Sequence, residues 1–251
     1  MKISFQRVAR AASIAIEIVI LSALVLATRC ANYQDVFVGR NTYFTDADCY
    51  ARMTRVRMCA EYPGLIIRHH QFENFPQGTT PHTTAPFDYT ILSLSILLKP
   101  FSAHALDLAG ALISPLLALI GAWFLWWWVR RMGFRYRWAL LTLFAISPIL
   151  VHGTELGRPD HQSLLMLVVT IAVCAEWSLQ NEKSTTWSVV SGVAWALAIW
   201  VSAYEPLLLL IFVLVILFGQ DRRRLVSKSR RLGWICFAAI ITLALTPKCR
   251  A

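Results

Sequence analysis

Charge is scarce in this sequence: Asp, Glu, Lys and Arg make up 15% of its 251 residues, against about 25% in an ordinary soluble domain. Its six cysteines form no C-x-x-C pair and no zinc-ligand spacing, which removes the usual zinc and dithiol readings. The two halves share no repeat, so the inverted-repeat plan of many transporters is missing. What is abundant is apolar: 57% of the residues are hydrophobic and the mean hydropathy is +0.55. The net charge of +10 sits in short clusters between apolar runs, as in cytoplasmic loops of membrane proteins. No basic and aromatic face remains once those runs are set aside, which excludes nucleic acid as a partner.

The apolar runs are residues 11–28, 106–129, 138–151, 164–179, 187–218 and 232–245. The third is short. The fifth is too long for one crossing, since about 20 helical residues span the hydrocarbon, and Tyr204-Glu205-Pro206 divides it into a hairpin. The first run follows Lys2, Arg7 and Arg10 and exceeds a signal-peptide core. Thr28-Arg29-Cys30 also lacks a small-residue cleavage site, so the run reads as an uncleaved anchor. Glu17 within it is costly in hydrocarbon and is expected to face the bundle and pair there. Trp126-Trp127-Trp128 suits an interfacial belt. Cys174 and Cys236 read as packing residues. Cys30, Cys49 and Cys59 share a polar segment, where an oxidising compartment would allow one disulfide.

With the N-terminus in the cytoplasm, the basic loops 130–137 and 222–231 both fall inside. A single span over 187–218 would put the second of them outside, so the hairpin is required. The expectation is an all-α, polytopic membrane bundle of about seven transmembrane helices in the plasma (inner) membrane. Two polar segments then face outward, a long first loop over 29–98 and a short one over 152–162.

The long loop contains Asp46-Ala47-Asp48 followed by Arg52 and Arg55. Two carboxylates one residue apart can grip a hard divalent cation, and a helix cap or solvated turn is the plainer reading. His69 and His70 are read as surface histidines. The short loop crowds His152, Thr154, Glu155, Arg158, Asp160, His161 and Gln162 between two spans, more polar groups than a connector needs. Helix capping is again the plain reading for Asp160. The charge argument nevertheless puts both acidic motifs on one membrane face, where they could converge on one ion.

The motifs and their order resemble the catalytic subunit of oligosaccharyltransferases, a membrane glycosyltransferase family of the GT-C type. Asp46-Ala-Asp48-Cys-Tyr50-Ala-Arg52-Met-Thr-Arg55 is similar to the family's D-x-D-P-Y-Y-H-L-x-R. Phe75-Pro76-Gln77-Gly78 through His82 to Pro86-Phe87-Asp88 is similar to its Y-P-x-G…H…P-L-F-D. Gly157-Arg-Pro-Asp160-His161-Gln162 is similar to the G-x-x-D-H-H that opens its fourth span. The resemblance implies Asp48 and Asp160 as catalytic metal ligands for Mg²⁺ or Mn²⁺, with Asp46 the alternative to Asp48. His161 and Gln162 would complete the metal set, and Arg52, Arg55, Arg158 and His82 would meet the donor. Cys49, Arg52 and Gln162 depart from the family's proline and two histidines.

By that resemblance the chain moves a sugar or oligosaccharide from a polyprenyl-linked phosphate or diphosphate donor, reached through the lipid bilayer, to an acceptor protein or lipid. Protein asparagine is the implied acceptor. Family members continue into further spans, a loop with a catalytic glutamate and a soluble C-terminal domain, none of which is found within residues 1–251. The chain is therefore expected to be the N-terminal transmembrane region. The alternative is a truncated, non-catalytic membrane fragment or scaffold. A transporter is the remaining class, and Glu17 is its one clear mid-membrane charge.

Overall fold

Three apolar stretches are long enough to cross a bilayer as single helices: α1 (Lys2–Arg29), α5 (Ala105–Arg131) and α8 (His161–Asn181). At 1.5 Å per residue they run about 30 to 40 Å, which matches or exceeds the hydrocarbon thickness. These come from a computed structural model, 75% helical, that describes residues 2–67, 69–80, 85–225 and 227–245; the side chains of 2–6 and 221–225 fall outside the description. The chain is an integral membrane protein. Its main core is formed by Leu21 and Val25 of α1, Ala118, Ala122 and Leu125 of α5, and Cys174 and Ala175 of α8. α1 is thus built into the bundle, while Ile16, Val19 and Ile20 stay exposed for lipid. Glu17 behaves as the plain reading expects. Its carboxylate accepts from Trp126 Nε1 at 2.9 Å and pairs with Arg130 and Arg137, the latter at 3.0 Å.

The run over 138–151 is not one helix. It splits into α6 (Arg137–Ile146) and α7 (Pro148–His152), because Pro148 has no N–H to continue the ladder and opens the second piece at its first position. Arg29, fully buried, caps the end of α6: its guanidinium donates to the carbonyls of Phe144 and Ala145 and to Thr154 Oγ1, where the helix dipole favours a cation. The long apolar stretch breaks where expected, into α9 (Thr185–Val201) and α10 (Tyr204–Leu225), followed by α11 (Lys228–Leu245).

The segment 29–98 is more structured than a loop. After the one-turn α2 (Tyr33–Val36) come a hairpin of β1 (Phe37–Val38) and β2 (Asn41–Thr42), then α3 (Ala47–Glu61) and α4 (Ala85–Leu98). Gly39, at φ +64°, supplies the left-handed backbone of the hairpin turn. α4 lies on α5, with Phe87 and Ile91 buried against Ala109, Ile113 and Leu117, and Met53 and Val56 of α3 close the same cluster.

α8, α9 and α11 pack closely. A Cβ on Gly192 of α9 would run into the backbone of Gly233 on α11, the small-residue contact that lets membrane helices approach. Beside it, Arg230 of α11 meets Glu176 of α8 at 3.1 Å (Nη1 to Oε1), and Ser191 of α9 donates to the same carboxylate. The end of α5 reaches the end of α8 through Arg131 and Glu182, 3.2 Å apart. Arg131 and Arg230 thus meet the C-terminal part of α8, and Asp160 and His161 stand at its other end, about 25 to 30 Å away by helix rise.

Candidate functional site

Asp46 and Asp48 look alike on paper and differ entirely in place. Asp46 is the N-cap of α3. Its Oδ1 accepts from the Cys49 backbone N–H at 2.9 Å, and its Oδ2 pairs with Arg158 Nη2 at 3.2 Å. Both oxygens are engaged. Asp48, in the first turn of the same helix, is exposed, and its charge reaches Arg55.

The short loop is pinned from three sides. Leu156 N–H donates to the Arg29 carbonyl at 2.8 Å, Gly157 N–H to the Ala111 carbonyl at 3.0 Å, and Thr45 N–H to the Gly157 carbonyl at 3.0 Å. The last bond joins the short loop directly to the residue before Asp46. Gly157 is needed there: its φ is +75°, and a Cβ would lie 2.6 Å from Val36 Cγ2 and 3.1 Å from the Tyr43 carbonyl oxygen.

Asp160 is the residue before α8 but does not cap it with its side chain. The carboxylate turns instead to His161, with Oδ1 2.6 Å from Nδ1. At that distance a proton lies between them, with Nδ1 as the donor and the carboxylate as the acceptor. Burial acts to raise the Asp160 pKa. The hydrogen bond and charge of His161, with the charges of Arg52 and Arg158, outweigh it and hold the carboxyl below its usual range. Gln162 is exposed beside it.

The three arginines frame the acids. Arg158 also reaches Glu155 Oε1 at 3.4 Å. Arg52 is 4% exposed and pairs with Asp88 at 3.1 Å, its other terminal nitrogen 3.3 Å from His161 Nδ1. Arg55, also buried, lies 3.9 Å from Glu73, and burial first, then the like charge of Arg52, push its pKa down. His70 is buried, not a surface histidine, and stacks on Phe72. His82 lies outside the described residues. Asp88 and Glu73 leave no periodic signal in the sequence, standing 36 and 18 residues from their arginines, although Asp88 lies inside a motif already singled out.

Cys30, Cys49 and Cys59 are all free thiols. Burial, then the hydrogen bond the thiol donates to Asp46 and the charges of Asp46 and Asp160, push the Cys49 thiol up to about 12. That leaves about one thiol in ten thousand ionised at pH 8. Maleimide is expected to spare Cys49 in the folded chain and label it after denaturation; rapid native labelling, read by mass spectrometry, would show that the two loops do not enclose it.

Among the described residues no three His, Cys, Asp or Glu side chains gather into a metal centre. The site gathers two separate carboxylates, Asp48 and Asp160, the amide oxygen of Gln162, and the imidazole of His161. Oxygen donors of this kind suit a hard divalent cation, and the ring nitrogen would also suit zinc. Both motif loops and their flanking helices are thus tied into one cluster at one end of the bundle.

Known proteins are similar to this chain in sequence and in fold. The chain is 25% identical over 217 residues to a dolichyl-phosphooligosaccharide-protein glycotransferase of Archaeoglobus fulgidus. The likeness is to oligosaccharyltransferases. It covers 84% of this chain and 35% of that relative, so the chain spans about a third of the length of the curated relative it matches. Solved structures of an oligosaccharyltransferase from the same archaeon share the fold. Its complex with zinc and sulfate gives a TM-score of 0.74 at 17% identity, covering 90% of this chain and 30% of that one. Its complex with an inhibitory peptide and a dolichol-phosphate gives 0.69 at 18% identity, covering 90% and 28%. No family model matches the chain. The oligosaccharyltransferase resemblance first drawn from three short motifs thus extends through most of the sequence and the fold.

Proposed function

We propose that this chain is the donor-binding membrane region of a glycosyltransferase that moves a sugar or oligosaccharide from a polyprenyl-linked phosphate or diphosphate to an acceptor, protein asparagine by resemblance. The observation that carries the proposal is the convergence of the two acidic motifs, each keeping one carboxylate, Asp48 and Asp160, that its helix does not use as a cap. In this reading about seven helices lie in the plasma (inner) membrane with the N-terminus in the cytoplasm. The segments 29–98 and 152–162 face outward. Asp48, Asp160 and Gln162, with His161 beside them, would hold Mg²⁺ or Mn²⁺, which when bound neutralises charge gathering on the leaving phosphate. Arg158 orients the site by holding Asp46 out of the metal set. Arg52, Arg55 and Arg158 lend a positive field to the donor's phosphate, and His82 is the proposed direct contact.

The test is Mn²⁺ binding to the detergent-solubilised chain, wild type beside Asp48→Ala/Asp160→Ala. Saturable binding lost in the double variant is the expected result, together with loss of metal-dependent transfer when either change is made in a complete transferase. Equal binding by both proteins would remove the proposal. It would favour the second reading, a non-catalytic membrane scaffold of the same fold. That reading draws on one observation, the neutral amide of Gln162 at the position where the resemblance implies a stronger metal ligand.

A further inference from the structure

At the end of α8 away from Asp160, a cavity of about 380 Å³ lies between the last turn of α8, the later turns of α10 and the first turn of α11. That size falls in the range of small-molecule sites, roughly 300–1,000 Å³. Leu179 and Leu217 line it together with Gln180, Gln220, Ser227 and Ser229. Along the helices, Leu217 is about one turn deeper than Gln220, and Arg230 about one turn deeper than Ser227. The hollow is therefore apolar below and polar at its mouth. Polar side chains gathered in this way are filled by water or by a polar ligand. The same helices face lipid almost up to the rim, Trp177 of α8 and Ile216 and Phe218 of α10 being exposed. The cavity thus opens at the level where lipid headgroups lie.

Its charge favours an anion. Lys183, Arg230 and Glu182 stand on its wall. Glu182 pairs with Arg131 and Arg230 with Glu176, which leaves the positive charge of Lys183, exposed at the rim. The sequence from α10 into α11 adds Arg222, Arg223, Arg224, Lys228 and Arg231 against Asp221. Basic pockets between membrane helices take anionic headgroups, whereas a zwitterionic headgroup brings a cation of its own. We propose that this cavity binds the phosphodiester headgroup of an anionic phospholipid. Lys183 meets the phosphate charge, and Ser227, Ser229 and Gln220 donate to its oxygens. The two serine hydroxyls are 3.2 Å apart, close enough to reach one phosphate together. A headgroup held there bridges α8, α10 and α11 and stabilises the folded chain by mass action. This ligand is independent of the sugar donor and the metal proposed above, whose residues stand at the other end of α8.

The experiment titrates the whole chain in detergent with phosphatidylglycerol, phosphatidylcholine or inorganic phosphate, read by thermal unfolding and native mass spectrometry. Phosphatidylglycerol is expected to raise Tm and to stay bound at concentrations where phosphatidylcholine does neither. Lys183→Gln should weaken that binding about 5-fold, the worth of one cation near a headgroup. Ser229→Phe fills the cavity without changing a charge and should abolish binding. Lys99→Gln removes an exposed lysine between α4 and α5 and should bind as wild type does. Equal binding of the two lipids overturns the proposal, and so does a preference that survives both cavity variants. A loss in Lys99→Gln equal to that in Lys183→Gln would show attraction by net charge alone and overturn it too. Inorganic phosphate acting as well as phosphatidylglycerol would show a site for free anions, and the lipid assignment would fall. If Ser229→Phe does not fold, the comparison of Lys183→Gln with Lys99→Gln decides.

Discussion

Gly157→Val is expected to lower the stability of the folded chain by about 2–5 kcal/mol, adding left-handed backbone strain of about 1–2 kcal/mol to overpacking of about 1–3 kcal/mol, and to abolish Mn²⁺ binding. The glycine sits at φ +75°, with Val36 Cγ2 only 2.6 Å from where a Cβ would stand. Its carbonyl accepts from Thr45 and its N–H donates to Ala111, so any shift to relieve the contact opens the joint between the two motif loops. Gly133 is the internal control. It has nearly the same backbone, φ +68°, with nothing within 4 Å of its would-be Cβ, and Gly133→Val should cost only the backbone part, about 1–2 kcal/mol. Thermal unfolding in detergent with a parallel Mn²⁺ titration reads both effects. Equal losses for the two variants, or binding retained in Gly157→Val, would show that the close contact does not hold the loops together.

Arg230→Ala should cost about 3–5 kcal/mol, the penalty for leaving a buried charge unpaired, because Glu176 would then stand 5% exposed with only Ser191 donating to it. Glu176→Leu/Arg230→Met removes both charges and is expected to lie close to wild type, since apolar replacement of a buried pair is often neutral or better. The exposed pair of Arg57 and Asp107, at 2.7 Å with side chains 46% and 35% exposed, offers a contrast in the same molecule. Asp107→Ala should cost no more than about 1 kcal/mol. Denaturation curves of the three variants decide it. A double variant as damaged as Arg230→Ala would mean that the α8, α9 and α11 contact depends on the ion pair and not on the glycine packing beside it.

The acidic motifs were legible in the sequence because carboxylates at short spacing stand out against an apolar background. Their division of labour was not. Asp46 and Asp48 stand two positions apart at a helix start, and only the backbone geometry before α3 makes one the cap. Asp160 occupies a capping position yet leaves its helix uncapped, because His161 offers a closer partner. Each arginine read as a donor contact also pairs with an acid, in partnerships that the sequence did not point to: Arg158 with Asp46, Arg52 with Asp88 and Arg55 with Glu73. Helix α4 lay within a stretch taken for loop: its apolar residues were too few to read as a span, and the packing surface that stabilises it belongs to α5.

The sequence by itself determined the solvent and the polarity of the molecule. Apolar runs of span length specify a bilayer, Pro148 and Pro206 stand at the starts of new helices, and clustered arginines set the basic ends apart from the acidic motifs. These are local properties, written in consecutive residues. Tertiary structure decided which charges remain available. Ion pairs such as Arg52 with Asp88, Arg158 with Asp46 and Arg230 with Glu176 join residues 36, 112 and 54 positions apart, numbers given by 88 − 52, 158 − 46 and 230 − 176. Coulomb energy depends on distance in space and on burial, neither of which the order of residues records.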